Sequence, residues 1–300
     1  MPVECRPGLA AAGDNGFVLL SVLSVTALLA LILGGAMLLS RATIDTSRLT
    51  DSTLRKNALL QSGLELAGHQ LFVLRTDPAA LGAQQLRLDS GTVTISVSSE
   101  AGRVDLNSAD ELLLAAAARA ANLTDLTPAE FAARVIDWRD SDDDARADGA
   151  EAEAYRAAGS TYTPPNSPFR SVGDLRYLLG ITAADVSSLS AYVTISNPAG
   201  KIDPMYAPTA LLEALPGVSP SALAALADAR NRSGLDRLFH MRAIFRGLEA
   251  HVVLGEMLRA FAVHLEVRLD GIVATGMVDA VLIAPVLSDR PFQVTQWVQH

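Results

Sequence analysis

The longest apolar segment lies close to the N-terminus, and the residues after it extend the same helical pattern. No charged residue occurs between Phe17 and Leu39. A helix of that length spans about 34 Å at about 1.5 Å per residue, and the core of a bilayer is about 30 Å thick. The polar residues from Arg41 onward include no proline, and the first glycine after them is Gly63. We therefore predict one helix from about Phe17 to about Leu74, with its first half in a membrane.

Strand patterns flank a long helical block. Leu86–Asp89 and Thr92–Ser98 alternate apolar and polar residues around a Ser90-Gly91 turn. The C-terminal strands are predicted at Ala262–Leu269, Ile272–Ala284 and Pro291–Val298, with a hairpin turn at Asp270-Gly271. The helices predicted between these two sets are Ala109–Ala121 capped by Asn107 or Ser108, Ala129–Asp137 opened by Thr127-Pro128, Val172–Leu179 after Ser171, Pro208–Leu215, Pro220–Arg232 and Leu248–Ala260.

The predicted fold class is α+β, with a long N-terminal helix, a small antiparallel sheet and a large all-helical insertion. The predicted segments are residues 1–16, 17–40, 41–104, 105–260 and 261–300. A weak internal repeat lies within the insertion, since Gly102-Arg103-Val104-Asp105 resembles Gly200-Lys201-Ile202-Asp203. The second copy continues through Ala210–Val218, which resembles a helix-hairpin-helix element.

Composition excludes several function classes. The formal charge of −9 disfavours a nucleic-acid partner, which requires clustered basic residues. Cys5 is the only cysteine, so an intrachain disulfide cannot form. The five histidines are scattered, and no Walker, Rossmann or nucleophile-elbow pattern occurs. We expect no catalytic or cofactor-binding residues, and therefore a protein that is not an enzyme.

The most acidic segment runs from Asp137 to Glu151. Two arginines against seven carboxylates give it a charge of −5, more than half of the total. If Asp140 is counted as position one, carboxylates also occupy positions three, five, nine and twelve, which are Asp142, Asp144, Asp148 and Glu151. These are the oxygen positions of an EF-hand loop.

Position six of this loop is Ala145, where an EF-hand needs glycine, so the segment is not an EF-hand. Two interpretations stay open from the residues alone. One is a dense oxygen cage for a hard cation such as Ca²⁺, and the other is a hydrated acidic loop partly neutralised by Arg139 and Arg146.

Gly16-Phe17 stands at the start of the apolar segment, after a short polar leader. This arrangement resembles the signal of type IV pilins and pseudopilins. The resemblance implies cleavage between Gly16 and Phe17 by prepilin peptidase, followed by N-methylation of Phe17. Most pilins carry a glutamate at the position of Ser21, and its absence is a property of the minor pseudopilin K family. The leader lacks the usual basic excess, so the orientation of the helix follows from the resemblance and not from charge.

A central motif extends the resemblance to the type II secretion minor pseudopilin K family over nearly the whole chain. Its parts are Asp137-Trp138, Asp140, Asp142, Gly149-Ala150-Glu151, Tyr155, Asn166 and Ser171-Val172-Gly173-Asp174-Leu175. The resemblance favours calcium, with ligands among Asp137, Asp140, Asp142 and Glu151, whereas Asp144 and Asp148 are candidates by spacing alone.

The family implies a position at the tip of the pseudopilus, which assists export of folded proteins across the outer membrane. It implies a single-pass protein of the bacterial inner membrane with its body in the periplasm. The implied partners are the minor pseudopilins I and J, the major pseudopilin, the inner-membrane assembly platform, prepilin peptidase and membrane lipid. The alternatives are a membrane-anchored calcium-dependent binding protein of the periplasm and a minor pilin of a type IV or DNA-uptake pilus.

Overall fold

A computed structural model describes residues 15–88, 90–255, 260–271, 275–285 and 289–299. The chain divides into two units, Met1–Ala58 and Leu59–His300, and each is described by itself. Helix α1 runs from Asn15 to Gly68 and is followed by one short π-helix, His69–Val73. The predicted long helix is confirmed. Leader residues 1–14 lie outside the described residues.

The first unit contains the apolar part of α1. One window, Leu19–Met37, is long and apolar enough to cross a membrane, with a mean hydropathy of 2.3, and its side chains are exposed. Ser24 and Thr26 donate hydrogen bonds to backbone oxygens one turn earlier in the helix, at 2.8 and 3.0 Å. Their hydroxyl groups are therefore satisfied within the helix, as a lipid environment requires.

The second unit contains a five-stranded antiparallel sheet in the order β1-β2-β5-β6-β7. Its strands are β1 (Ala83–Leu88), β2 (Gly91–Ser99), β5 (Ala260–Leu269), β6 (Thr275–Ile283) and β7 (Gln293–Gln299). The predicted hairpins are confirmed. Alternation of apolar and polar residues places every second side chain of the central strands in one core. That core includes Val93, Ile95, Val263, Leu265 and Val267 from the sheet, and Leu59, Leu60, Leu64 and Ala67 from the end of α1.

The insertion leaves the sheet after Ser99 and re-enters it at Ala260, and these two ends belong to neighbouring strands. It has its own hydrophobic core, separate from the core of the sheet. Its elements are β3 (Val104–Asp105), α3 (Glu111–Ala121), α4 (Pro128–Arg139), α5 (Ala152–Ala157), a 3₁₀ helix (Val172–Tyr177), α6 (Ala183–Leu189), β4 (Val193–Thr194), α7 (Thr209–Glu213), α8 (Pro220–Arg230) and α9 (Gly234–Ile244). Helix α2 (Pro78–Leu81) precedes the sheet.

Several details of the insertion differ from the sequence predictions. The insertion is not all-helical, because β3 and β4 pair in parallel. Helix α3 is capped by Asp110, because Asp105 Oδ1 accepts the backbone N–H groups of Asn107 and Ser108 and holds both in a preceding turn. No helix begins at Leu248, where the chain forms a turn and then a parallel bridge between Val252 and Ile202.

The internal repeat has a structural counterpart in two reciprocal contacts. A Cβ atom on Gly102 would lie 2.4 Å from the backbone carbon of Tyr206, in the turn after Asp203. A Cβ atom on Gly200 would lie 2.6 Å from the backbone oxygen of Ser108, in the turn after Asp105. Each copy therefore places its glycine against the turn of the other copy, and a side chain at either glycine would separate them.

Candidate metal centre in the acidic loop

Helix α4 positions the start of the acidic loop. Thr127 and Glu130 form a capping box at its first turn, with hydrogen bonds of 3.2 and 2.9 Å, and Pro128 occupies the first helical position. The helix ends at Arg139, and Asp140 follows as its C-cap. The cap fixes where the helix begins, and Asp137 then lies on its buried face.

Arg139 anchors this end of the helix to the rest of the insertion. Its guanidinium donates to the backbone oxygens of Leu106 and Ala109, the latter at 2.7 Å. Burial lowers the pKa of Arg139, and the charges of Asp105 and Asp140 oppose that shift. Arg139 is therefore held on backbone carbonyls and forms no ion pair with the loop among the described residues, although its charge still acts on Asp140.

Asp137 is completely buried, and the loop folds back over it. Its Oδ2 atom accepts a hydrogen bond from the backbone N–H of Arg146 at 3.2 Å, while its Oδ1 atom has no hydrogen-bond partner among the described residues. Burial raises the pKa of the Asp137 carboxyl. A Cβ atom on Gly149 would lie 2.0 Å from Oδ2, so the loop closes over Asp137 only because position 149 lacks a side chain.

Glu151 is the second buried carboxylate of the cluster, with 5% of its surface exposed. It occupies the N-cap position of α5 without a side-chain cap hydrogen bond, and neither of its carboxylate oxygens has a hydrogen-bond partner in the described structure. Desolvation by burial, followed by the negative charges of Asp137 and Asp140, raises its pKa to about 7. An ionised group in this position needs a counter-charge.

The remaining predicted ligands differ in position. The Oδ1 atom of Asp140 is buried and unpaired within the described structure, so it belongs with Asp137 and Glu151. Asp142 and Asp143 lie near enough for their charges to raise the pKa of Glu151. Asp144 and Asp148 are exposed, and nothing in the structure brings them to the buried cluster.

Asn166 holds the exposed part of the loop in place. Its Nδ2 atom donates to the backbone oxygen of Asp142 at 2.9 Å and to Oδ1 of Asp143 at 3.0 Å. Its backbone has a φ of 49°, in the left-handed region that asparagine tolerates better than most residues. The sequence indicated Asn166 only as part of a motif, and its function as a clamp for the loop depends on a contact over more than twenty residues.

The donor set fits a hard divalent cation, because it consists of carboxylate oxygens and four of them are buried without a hydrogen bond. Within the ranges that the structure describes, however, no three or more acidic, histidine or cysteine side chains are arranged closely enough to hold an ion. The cluster is thus a set of unpaired oxygens that an ion would have to draw together. Asp137, Asp140 and Glu151 are the residues that would hold it.

Comparisons with known proteins identify the segment that contains this cluster. Residues 96–199 match the family model for type II secretion system protein K. The predicted resemblance to protein K is confirmed for these residues, which make up about a third of the chain. No curated protein sequence matches the chain.

The fold extends the relation beyond that segment. One chain of the crystal structure of the GspK-GspI-GspJ complex from the enterotoxigenic Escherichia coli type 2 secretion system is similar, with a TM-score of 0.64 and 15% sequence identity. The match covers 85% of this chain and 99% of the other. At this identity the likeness shows the fold alone, and residues 96–199 are the part of the chain that is similar to a secretion-system component. The apolar window Leu19–Met37 fits a single-pass anchor in such a component.

Proposed function

We propose that this chain is the minor pseudopilin at the tip of a type II secretion pseudopilus, where it initiates or caps assembly for the export of folded proteins across the outer membrane. The observation that carries the proposal is the protein K match over residues 96–199 within a chain whose fold is shared with a member of the GspK-GspI-GspJ complex. By this analogy its direct partners are the minor pseudopilins I and J. The major pseudopilin and the inner-membrane assembly platform are further partners.

The neutral side chain of Ser21 supports a position at the tip. This residue lies within the apolar window Leu19–Met37, at the position where most pilins carry a glutamate. A carboxylate in a membrane is unfavourable unless it has a partner. A subunit with no neighbour above it therefore benefits from a neutral side chain at this position. The large insertion adds a steric reason, since its bulk would obstruct a further subunit.

Processing follows from the same helix. We propose that prepilin peptidase cleaves between Gly16 and Phe17, at the start of α1, and that the new N-terminus is methylated. The apolar window then remains on the mature protein as its anchor in the inner membrane, with lipid around it and the body in the periplasm. Mass spectrometry of the mature N-terminus tests this. Recovery of Met1 from cells with active peptidase would contradict it.

We also propose that the acidic loop binds one or more Ca²⁺ ions through Asp137, Asp140 and Glu151, with Asp142 as a further ligand. The support is the burial of carboxylate oxygens without partners. The ion would add positive charge to three carboxylates that, among the described residues, only the guanidinium of Arg146 approaches within 4 Å. Since the sequence allows no intrachain disulfide, a bound ion would be the main cross-link between the loop and the helices.

Co-purification from detergent-solubilised membranes tests the assembly. The full chain is co-expressed with candidate pseudopilins I and J, as wild type, Ser21→Glu and Ser21→Gln. We expect a ternary complex with the wild type and with Ser21→Gln, and a loss of complex with Ser21→Glu because it places an unpaired carboxylate in the membrane. Absence of any complex with the wild type would refute the tip proposal.

Calorimetric titration of the full chain with Ca²⁺ tests the metal site. We expect binding by the wild type, none by Asp140→Ala combined with Glu151→Ala, and near-normal binding by Asp144→Ala, whose side chain is exposed in the same loop. Unchanged binding by the double variant would exclude this site. Calcium binding without any complex with I or J would instead favour the membrane-anchored calcium-dependent binding protein.

A further inference from the structure

In the part of the chain that the structure describes, Arg146 is the basic residue that forms ion pairs with the buried carboxylate cluster. Its Nε atom lies 3.6 Å from Oδ1 of Asp137, and its Nη2 atom lies 3.7 Å from Oδ2 of Asp140. The first of these oxygens is one of those that no hydrogen bond satisfies. Both distances are too long for hydrogen bonds, so the guanidinium acts on the two carboxylates through charge alone.

The backbone and the side chain of Arg146 are held differently. The backbone N–H donates to Oδ2 of Asp137 at 3.2 Å, so the main chain is fixed against the cluster. The side chain is 49% exposed and, with respect to the residues that the structure describes, makes the two long ion pairs and no hydrogen bond. It can therefore rotate into solvent without a change in the loop backbone. The neighbouring Arg139 lacks this freedom because its guanidinium is bound to the backbone oxygens of Leu106 and Ala109.

We propose that Arg146 is a built-in counter-cation of the metal-free loop, which an incoming cation must displace and which thereby sets the affinity of the site. The proposal rests on the metal site proposed above. A divalent ion that is bound to Asp137 and Asp140 would stand within a few ångströms of the guanidinium, and like charges at that separation repel. Arg146 stabilises the empty cluster and opposes the filled one.

This function has a signature that a purely structural arginine lacks. Replacement of Arg146 by glutamine lowers the stability of the metal-free protein and, at the same time, raises its affinity for the ion. We expect an increase in affinity of about fivefold, which is the magnitude of a partly exposed ion pair. If Arg146 only held the loop together, its replacement would lower both the stability of the protein and its affinity for the ion, because a disordered loop binds an ion more weakly.

The chain provides an optical probe for the measurement. Trp138 follows Asp137 directly and is buried against Phe169, with ring centroids 5.4 Å apart. The sequence contains two tryptophans, and the other is Trp297. A Trp297→Phe background in the full-length, detergent-solubilised protein therefore isolates Trp138, which can sensitise Tb³⁺ luminescence at the cluster. Competition with Ca²⁺ then gives the calcium affinity.

The variants are Arg146→Gln, Arg146→Lys and the control Arg156→Gln. Arg156 belongs to α5, which begins directly after Glu151, and its Nε atom donates to the backbone oxygen of Ala152. The control therefore removes one positive charge nearby without removing an ion pair to Asp137 or Asp140. Arg146→Lys retains the charge and should stay close to the wild type.

We expect tighter binding by Arg146→Gln, together with a lower unfolding temperature in chelator, while Arg156→Gln changes neither by as much. Equal or weaker binding by Arg146→Gln would overturn the proposal and leave the metal site intact, as would an equal increase in the control. Binding by Arg146→Gln alone would support the proposal in its strongest form. If neither the wild type nor Arg146→Gln binds Ca²⁺ or Tb³⁺, the metal site and the inference both fail.

Discussion

The side chain of Asn107 forms a hydrogen-bonded pair with the backbone of Phe169. Its Nδ2 atom donates to the Phe169 oxygen at 3.0 Å, and its Oδ1 atom accepts the Phe169 N–H at 2.7 Å. Asn107 lies in the turn before α3, and Phe169 follows the acidic loop and stacks on Trp138. One amide group therefore fixes both the path of the chain after the loop and the aromatic pair beneath it.

Asn107→Ala should lower the free energy of unfolding by about 2 kcal/mol, because two partly buried hydrogen bonds are lost and the Phe169 backbone is left unpaired. Thermal and denaturant unfolding of the full chain in detergent measure the change. Asn231→Ala is the matched control, since Asn231 is exposed and its side chain donates only to the Ala227 oxygen within one helical turn. Equal effects of the two variants would contradict a stabilising role for the hydrogen bonds between Asn107 and Phe169.

Gly149→Ala should destabilise the chain by about 1–3 kcal/mol and weaken calcium binding, since the new methyl group would overlap Oδ2 of Asp137. Gly173→Ala serves as a control, because its Cβ atom would lie 3.4 Å from Oγ of Ser171, an ordinary van der Waals distance. Unfolding temperatures and calcium titrations are compared for the two variants. A Gly149→Ala protein with normal stability and affinity would show that the loop does not close over Asp137.

The metal-free protein should lose stability as the pH rises from about 4.5 to about 7. The pKa of Glu151 is raised from 4.5 to about 7 in the folded state, so the folded protein holds this proton more tightly than the unfolded chain does. The stabilisation is complete below pH 4.5 and is lost as the pH passes 7, and it amounts to at most about 3 kcal/mol. The raised pKa of Asp137 acts in the same direction.

Unfolding temperatures in chelator between pH 5 and pH 8 measure this dependence. Glu151→Gln should flatten the profile, and Glu153→Gln, which removes an exposed carboxylate two residues away, should not. A Glu151→Gln protein with the wild-type profile would mean that Glu151 is ionised throughout this range.

The junction between α2 and the insertion depends on Asp77. Its Oδ1 atom accepts the Ala79 N–H at 2.9 Å and the Tyr206 hydroxyl at 3.3 Å, and its Oδ2 atom lies 3.7 Å from Nη1 of Arg237. Burial and the charge of Asp77 raise the pKa of Tyr206. Asp77→Ala should cost about 2 kcal/mol by removing a helix cap together with these contacts.

Tyr206→Phe should cost about 1 kcal/mol, because it removes only the hydroxyl contact. Denaturant unfolding of both variants gives the comparison. If Tyr206→Phe destabilised the chain as much as Asp77→Ala, packing around the ring and not the Asp77 contacts would hold the junction.

Much of the fold follows from local patterns, and the rest depends on contacts between distant residues. The long helix, the hairpins of the sheet and the Thr127 cap each have a signal within a few residues. Strands β3 and β4 have two residues each, too few for a period, and they pair across the first half of the insertion. Helix α9 begins at Gly234, which has a φ of 58°. A glycine at this position is typical of a turn, so the sequence does not show that a helix starts here.

The site was partly predictable for the same reason. The motif and the spacing located the acidic loop, and the motif favoured Asp140 whereas Asp144 and Asp148 were candidates by spacing alone. The structure distinguishes Asp140 from Asp144 and Asp148 by burial. That burial depends on the close approach of the loop backbone at Gly149 to the Asp137 side chain. The importance of Arg146 depends on distances to Asp137 and Asp140 that no spacing rule supplies.

The insertion also bears on the order in which the chain folds. Strands β2 and β5 are hydrogen-bonded neighbours, yet residues 100–259 separate them, and closing a flexible loop of that length carries an entropic cost. Within the insertion, the Ala101 oxygen accepts the Asp203 N–H at 2.7 Å, and the Ile202 oxygen accepts the Val253 N–H at 3.0 Å. Once folded, the insertion thus holds its own two ends together through one shared segment. If the insertion folds first, these contacts hold Ala101 near Val253, and the loop that must close when β5 pairs with β2 is much shorter than the full insertion.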